Sequence, residues 1–254
     1  RHGLPEALVP FVCGFTGRGR VAQGAQAIYD LFPVVKIPAE ELHDFLAGRK
    51  FSNGTLYKVV LNKPQLYRPR TGQALIQEFN WYEFQTYPER YEGQLEQYLP
   101  YLTMLINGIY WEPRFPRLVT REGIRRLFQQ QSRPRLRVIG DITCDIEGSI
   151  EITLKATNMT NPVYVYNPFT GQIQDGWEGE GVVVMAVDKL PTELPREASE
   201  AFGKALLPFV PDLAAADFSA PLEALQLPPE FRRALIVHRG RLTPEFEYLR
   251  QHLP

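Results

Sequence analysis

Two groups of residues carry types and spacings that chemistry needs. The first is Gly17-Arg18-Gly19-Arg20-Val21-Ala22, a G-x-G-x-x-A pattern between an apolar run and a helix-like repeat. In a dinucleotide site the first glycine permits a tight turn, and the second removes the side chain where a pyrophosphate nears the backbone. The small third residue lets the helix pack on its strand. The helix start then offers unpaired N–H groups and partial positive charge to phosphate, and Arg18 and Arg20 add formal charge. A purely structural turn is the alternative. The second group is Asp141, Asp145 and Glu147 in "GDITCDIEGS". Carboxylates gathered at the end of a strand can orient an amine or a water, and neighbouring carboxylates raise one another's pKa toward values useful in proton transfer. Asp145 is the preferred site residue, with Asp141 and Glu147 open to structural roles such as accepting backbone N–H groups.

Elements must exist to position these groups. Short apolar runs alternate with helical patterns over the first 190 residues or so. Strands are predicted at "LVPFVCGF", "PVVKI", "LYKVVL", "TMLINGIYW", "LRVIGDIT", "SIEITLKA" and "VVVMAVD", with helices over 21–32, 39–46 and 120–130. That alternation argues for an α/β fold with a parallel sheet. The first helix is expected to place Val21, Ala25, Ile28 and Phe32 on one face, at spacings of three and four. The stretch 66–99, rich in Tyr, Gln, Glu and Pro, reads as a long surface excursion or a functional lid. From Leu190 the texture changes, and "PTELPREASEAFGKALLPFV" reads as a capped amphipathic helix started by Pro195.

The strand "PVVKI" is expected to end near the adenosine ribose, where NAD-binding proteins present an acid to the 2′-hydroxyl. Here Lys36 and Ile37 close the strand. A cationic Lys36 suits a 2′-phosphate and favours NADP(H) over NAD(H); Glu40 or Glu41 serving a ribose is the alternative. In the second segment Arg196 could clamp a carboxylate but suits a surface salt bridge better. Tyr110, Trp111 and Phe115 either wall a cofactor slot or fill the core.

The chain's 254 residues, 44% hydrophobic, suffice for a large core. A formal net charge of -1 gives no footing for nucleic acid or an anionic membrane, and no apolar run reaches the ~20 residues of a bilayer span. Cys13 and Cys144 read as buried thiols in a reducing compartment. The chain starts at Arg1, with a core strand predicted about a dozen residues on, which reads as a fragment, a processed product or the second part of a longer chain.

Three further stretches, "LINGIYWEPRFPRLVT", "GDITCDIEGSIEI" and "VDKLPTELPREASEAFG", add to the glycine loop. Together, and in this order through to "PEFEYLRQHL", they resemble lysine–2-oxoglutarate reductase, the saccharopine-forming half of aminoadipic semialdehyde synthase. They are more distantly similar to lysine-forming saccharopine dehydrogenase and alanine dehydrogenase. The resemblance implies a Rossmann-type doubly wound NAD(P)-binding domain over 1–190. It also implies a C-terminal helical segment, 191–254, that returns to a substrate domain built mainly from an N-terminal segment. By the same resemblance Gly17 and Gly19, with Arg18, Arg20 and Val21, hold the pyrophosphate; Asn107, Gly108 and Ile109 run along the ribose and nicotinamide; Asp145 faces the nicotinamide end; and the backbone of Leu190 lies close to it. The implied substrates are L-lysine, 2-oxoglutarate and saccharopine, joined by reductive condensation. The implied partner is a fused or companion N-terminal domain, or a second copy in a homo-oligomer. The implied place is the cytoplasm, or the mitochondrial matrix of a eukaryote. Departures are the missing acid on the second strand and the bulky Ile146 and Glu147. None of His2, His43, His238 and His252 lies in a block matching the family's acid–base residues. An alanine-dehydrogenase-like deaminase and a non-catalytic nucleotide-binding module remain the competing readings.

Overall fold

A computed structural model describes residues 3–47, 50–73 and 75–253; His2 lies outside them. The chain divides into two compact units, one ending at Lys189 and one starting at Leu190.

The first unit runs β1 (Phe11–Thr16), α1 (Arg20–Tyr29), β2 (Val34–Lys36), α2 (Leu42–Leu46), β3 (Leu56–Leu61), α3 (Lys63–Leu66) and β4 (Tyr67–Pro69). It continues with α4 (Trp81–Thr86), β5 (Tyr91–Gly93), β6 (Met104–Asn107), α5 (Arg121–Gln130), β7 (Val138–Asp141), β8 (Val163–Tyr166), β9 (Ile173–Asp175) and β10 (Val182–Met185). Eight of these strands form one sheet in the order β2-β3-β1-β6-β7-β10-β8-β9. The six from β2 to β10 in that order are parallel, and β8 and β9 add antiparallel at one edge. This is a Rossmann-like α/β sheet. The central strands are buried along nearly their whole length, as the continuous apolar runs of a sheet covered on both faces require.

Register aligns the ends of four neighbouring strands. Leu61 of β3 pairs Thr16 of β1, Thr16 pairs Asn107 of β6, and Asn107 pairs Asp141 of β7. The loops that follow, at Asn62, Gly17, Gly108 and Ile142, therefore leave the sheet side by side. Strands of one sheet lie about 4.8 Å apart.

Strand order departs from expectation in one consequential way. The second strand in sequence is the outermost, and β3 lies between it and β1. In the common dinucleotide-binding order the second strand adjoins the first. Lys36 therefore ends an edge strand one position further from the glycine loop than the sequence reading assumed.

Other expectations are corrected too. Helix α1 ends at Tyr29, and its buried residue is Ala22, whereas Val21, Ile28 and Phe32 are more than half exposed. Apolar periodicity located a face but not the face that packs. The run "SIEITLKA" is no strand. Ile150 and Ile152 are buried in a turn closed by Thr153 N–H to the Ile150 carbonyl at 2.9 Å, leaving single bridges at Val119–Ile150 and Thr157–Val187. The stretch 66–99 is neither surface excursion nor lid. The β4–β5 pair and α4 bring Tyr67, Phe84, Tyr91, Leu95 and Leu99 into the core, and Phe84 stacks on Phe115 with centroids 4.9 Å apart. Glu83, itself buried, accepts from Leu75 N–H at 2.8 Å and pairs with Arg90 at 3.0 Å. These bonds hold its carboxyl below the usual range, with the Leu75 bond the largest cause.

The second unit contains α6 (Pro195–Leu206), α7 (Val210–Ala215), α8 (Pro229–Ala234) and a hairpin of β11 (Val237–His238) and β12 (Arg241–Leu242). Pro195 starts α6 as predicted, but no side chain caps it.

Candidate active site

The aligned strand ends carry a buried polar chain. Thr16 Oγ1 donates to Asn107 Oδ1 at 2.8 Å, and Asn107 Nδ2 donates to Asp141 Oδ1 at 2.8 Å and to Ser149 Oγ at 2.9 Å. Thr153 Oγ1 donates to Asp141 Oδ2 at 2.6 Å. Thr16, Asn107, Asp141, Ser149 and Thr153 are all buried, so each bond is made in low dielectric and leaves little polar capacity unused. Burial pushes the Asp141 carboxyl up, and the bonds from Thr153, Asn107 and the Cys144 backbone pull it part of the way back.

This chain fixes the loops above it. Gly108 N–H donates to Thr16 Oγ1 at 3.1 Å, and Ile142 N–H donates to the Asn107 carbonyl at 2.9 Å. Asn107, expected to touch a cofactor, thus has its side chain and its carbonyl committed inside the protein. Its part is to position the loops. Asp141 is likewise structural. Sequence reasoning missed Thr16, Ser149 and Thr153; the one local signal was a hydroxyl ending the apolar run immediately before Gly17.

The glycine loop sits between two strands. Gly17 N–H donates to the Leu61 carbonyl of β3 at 2.8 Å, and on the other side Ile109 packs so that a Cβ on Gly17 would stand 3.0 Å from Ile109 Cγ2. Gly17 has φ +82°, which only glycine adopts without strain. Gly19 differs. It caps α1 with φ -70°, and a Cβ there would meet nothing within 4 Å. Neither backbone nor packing demands glycine at position 19. Without a side chain, Gly19 also caps no N–H of the first turn of α1. Arg18 and Arg20 are exposed at the same place, and Gln23 Nε2 holds the Arg18 carbonyl at 2.8 Å.

On the β6 side of the loop a cavity of about 330 Å³ is lined by Val21, Gly108, Ile109, Tyr110, Trp111, Ile142, Thr143 and Asp145. It gathers Val21, Gly108, Ile109 and Asp145 from three separate predictions. Gly108 lies so close to α1 that a Cβ would come 3.1 Å from Val21 Cγ1, and Thr143 Oγ1 ties the Ile109 carbonyl at 2.8 Å. Asp145 is exposed at the cavity wall, its carboxyl raised by partial burial. Tyr110 is 77% exposed, whereas Phe115 is core, so the aromatic trio divides between wall and interior.

The other predicted residues have surroundings of their own. Ile37 is buried and joins the core. Glu147 pairs with Arg121. Cys144 Sγ contacts the Ala186 carbonyl at 2.9 Å, and burial with the nearby Asp141, Asp188 and Asp145 pushes its thiol up to about 11, a packing thiol and no nucleophile. Leu190 opens the second unit in the 3-10 turn Leu190–Glu193. Arg196 pairs with Glu200 at 3.1 Å on an exposed helix face. His43 pairs with the neighbouring Asp44, and His238 Nε2 contacts the Ala220 carbonyl at 2.8 Å. Among the described residues no histidine lines the cavity. Among the described residues no cluster suits a metal ion, and no helix is long and apolar enough to cross a membrane.

Comparison with known proteins gives this geometry a family context. The model of the alanine dehydrogenase/PNT C-terminal domain matches residues 83–245. Alpha-aminoadipic semialdehyde synthase of Arabidopsis thaliana is 36% identical over 260 residues, covering 98% of this chain and 23% of the relative. The mitochondrial alpha-aminoadipic semialdehyde synthase of Bos taurus is 33% identical over 264 residues, covering 98% of this chain and 28% of the relative. The NAD(+), L-lysine-forming saccharopine dehydrogenase of Schizosaccharomyces pombe is 34% identical over 111 residues, 41% of this chain and 26% of the relative. The chain thus spans about a quarter of the length of these relatives.

Proposed function

From a chain that belongs to the alanine dehydrogenase/PNT C-terminal domain family, we propose the coenzyme-binding part of an oxidoreductase of lysine catabolism. It condenses L-lysine with 2-oxoglutarate reductively to saccharopine, with NADP(H) preferred over NAD(H). The observation that carries this reading is Gly19, a glycine that neither conformation nor packing requires, at the uncapped start of a ten-residue helix beside two arginines. A dinucleotide fits there. Its pyrophosphate takes the first-turn N–H groups of α1, and its nicotinamide half extends over Gly108 and Ile109 toward Asp145. Bound in its reduced form, the coenzyme supplies a hydride.

The chain's own residues do the rest of the local work. Ile109 and Trp111 wall the cavity and exclude water, which protects an imine joining the two substrates. Asp145 takes a proton from the incoming amine, and its raised carboxyl makes it a better base than an ordinary aspartate. Further acid–base groups belong to the companion substrate domain, since Asp145 is the one carboxylate lining the cavity among the described residues. That scarcity also favours a second reading, a nucleotide-binding module without turnover of its own. The compartment is the cytoplasm or, in a eukaryote, the mitochondrial matrix. A homo-oligomer is the other form the partnership could take.

Titration with NADPH and NADH, followed by nicotinamide fluorescence, tests the binding. Saturable binding lost in Gly19→Asp supports it, and no binding of either coenzyme sinks it. Coenzyme oxidation that needs both lysine and 2-oxoglutarate separates the first reading from a deaminase using ammonia, and binding without turnover supports the second.

A further inference from the structure

The strand that adjoins β1 on the side away from the cavity is β3, and a half-buried cation follows its end. Leu61 shares a register position with Thr16 and receives the Gly17 N–H. The two residues after it are Asn62 and Lys63. Asn62 begins α3 in a capping box with Gln65, its N–H donating to Gln65 Oε1 at 3.0 Å. Lys63 is half-buried. Its ammonium stands 5.0 Å from the ring centroid of Trp81, 5.3 Å from Tyr67, 5.4 Å from Phe84 and 5.8 Å from Phe115. Among the described residues no carboxylate pairs with it, and loss of water alone lowers its pKa.

A cation taken out of water without a counter-charge is costly. Four ring faces recover part of that cost but supply no charge. Structural lysines in this protein are completed: Lys58, which is buried, is paired with Asp30. Lys63 lies among four rings and, among the described residues, has no carboxylate partner.

A dinucleotide that straddles β1 puts its nicotinamide half on one side and its adenosine half on the neighbouring strand's side. Strand order makes that neighbour β3, with exposed Lys36 relegated to the outer edge. We propose that Lys63, and not Lys36, binds the phosphoryl group on the adenosine ribose and so sets the preference for the phosphorylated coenzyme. This rests on the coenzyme reading given above.

The chain is titrated with NADPH, NADH, 2′,5′-ADP and 5′-AMP as wild type, Lys63→Gln, Lys63→Met, Lys36→Gln and Gly19→Asp. Lys63→Gln is expected to weaken NADPH and 2′,5′-ADP by about tenfold or more, as loss of a charge-assisted bond does. NADH and 5′-AMP change less than about threefold, and Lys36→Gln changes neither pair by more than about twofold. Lys63→Met fills the cage with an apolar stem and carries the same expectation if the glutamine variant misfolds. On the wild type, 2′,5′-ADP slows acylation of Lys63 by an amine-reactive reagent and 5′-AMP does not. Equal loss of NADPH and NADH in folded Lys63 variants overturns the proposal, as do unchanged NADPH binding, absence of protection, or tighter wild-type binding of NADH. If Gly19→Asp abolishes binding while Lys63→Gln leaves it intact, only this inference fails. If the wild type binds no coenzyme, the coenzyme reading fails with it.

Discussion

The β6–β7 side of the sheet end and its β3 side begin from the same row of residues and differ in how their polar atoms are used. On the first side Thr16, Asn107, Asp141, Ser149 and Thr153 bond one another within 2.6–2.9 Å and are sealed from water. On the second, the Lys63 ammonium lies among four rings and, among the described residues, pairs with no carboxylate. Gly17 and Gly19 repeat the contrast two residues apart, one required by its own backbone and the other by nothing in the chain. Satisfied buried groups build a scaffold, and groups left incomplete beside it mark where a ligand belongs.

The sharpest way to break that division is to change one side and watch the other's observable. Gly19→Asp places a carboxylate in open space at ordinary φ. Coenzyme affinity is expected to fall by about a hundredfold or more through charge repulsion, with unfolding free energy unchanged within about 0.5 kcal/mol; fluorescence titration and urea melts read the two. A matching loss of stability would put Gly19 in the scaffold. Asp145→Asn, at the cavity wall, is expected to lower turnover about a hundredfold while leaving coenzyme affinity within about twofold. Asn107→Ala inverts the pattern. It strands Thr16, Ser149 and the Asp141 carboxylate and is expected to cost about 2–4 kcal/mol in denaturant melts.

Asp141 gives the same comparison a pH signature. Its pKa is raised in the folded protein above the ordinary 3.8, so the folded state holds the proton more tightly than the unfolded chain. Relative to Asp141→Asn, the wild type therefore gains stability as pH falls through the raised pKa. The gain is complete below the ordinary value and absent at higher pH. Paired melts at pH 7 and near pH 4 read it, and a difference that shrinks on acidification would contradict burial as the cause. Arg196→Ala, in an exposed ion pair with Glu200, should move stability by less than about 0.5 kcal/mol.

What the sequence disclosed was local. The glycine pattern, its strand and its helix lie within twenty residues, and Asp145 stands in a contiguous block, so both could be read directly. The polar chain could not, because Thr16 and Asn107 meet across 91 positions and Asn107 and Ser149 across 42. Strand order was equally hidden. Nothing in "PVVKI" or "LYKVVL" states which of them adjoins β1, and the assignment of Lys36 to the ribose inherited that gap. The cage around Lys63 draws rings from positions 67, 81, 84 and 115, a gathering that only the folding of 66–99 into the core brings about.

The outward place of β2 has a use of its own. Both margins of the large sheet are three-residue strands, Val34–Lys36 and Ile173–Asp175, and each closes on an exposed charge, Lys36 at one and Asp175 at the other. Unpaired backbone along a sheet margin invites a foreign strand to add on, and short margins ending in charge repel such a guest. Lys36 and Asp175, at the two margins, then disfavour strand addition by a neighbouring chain.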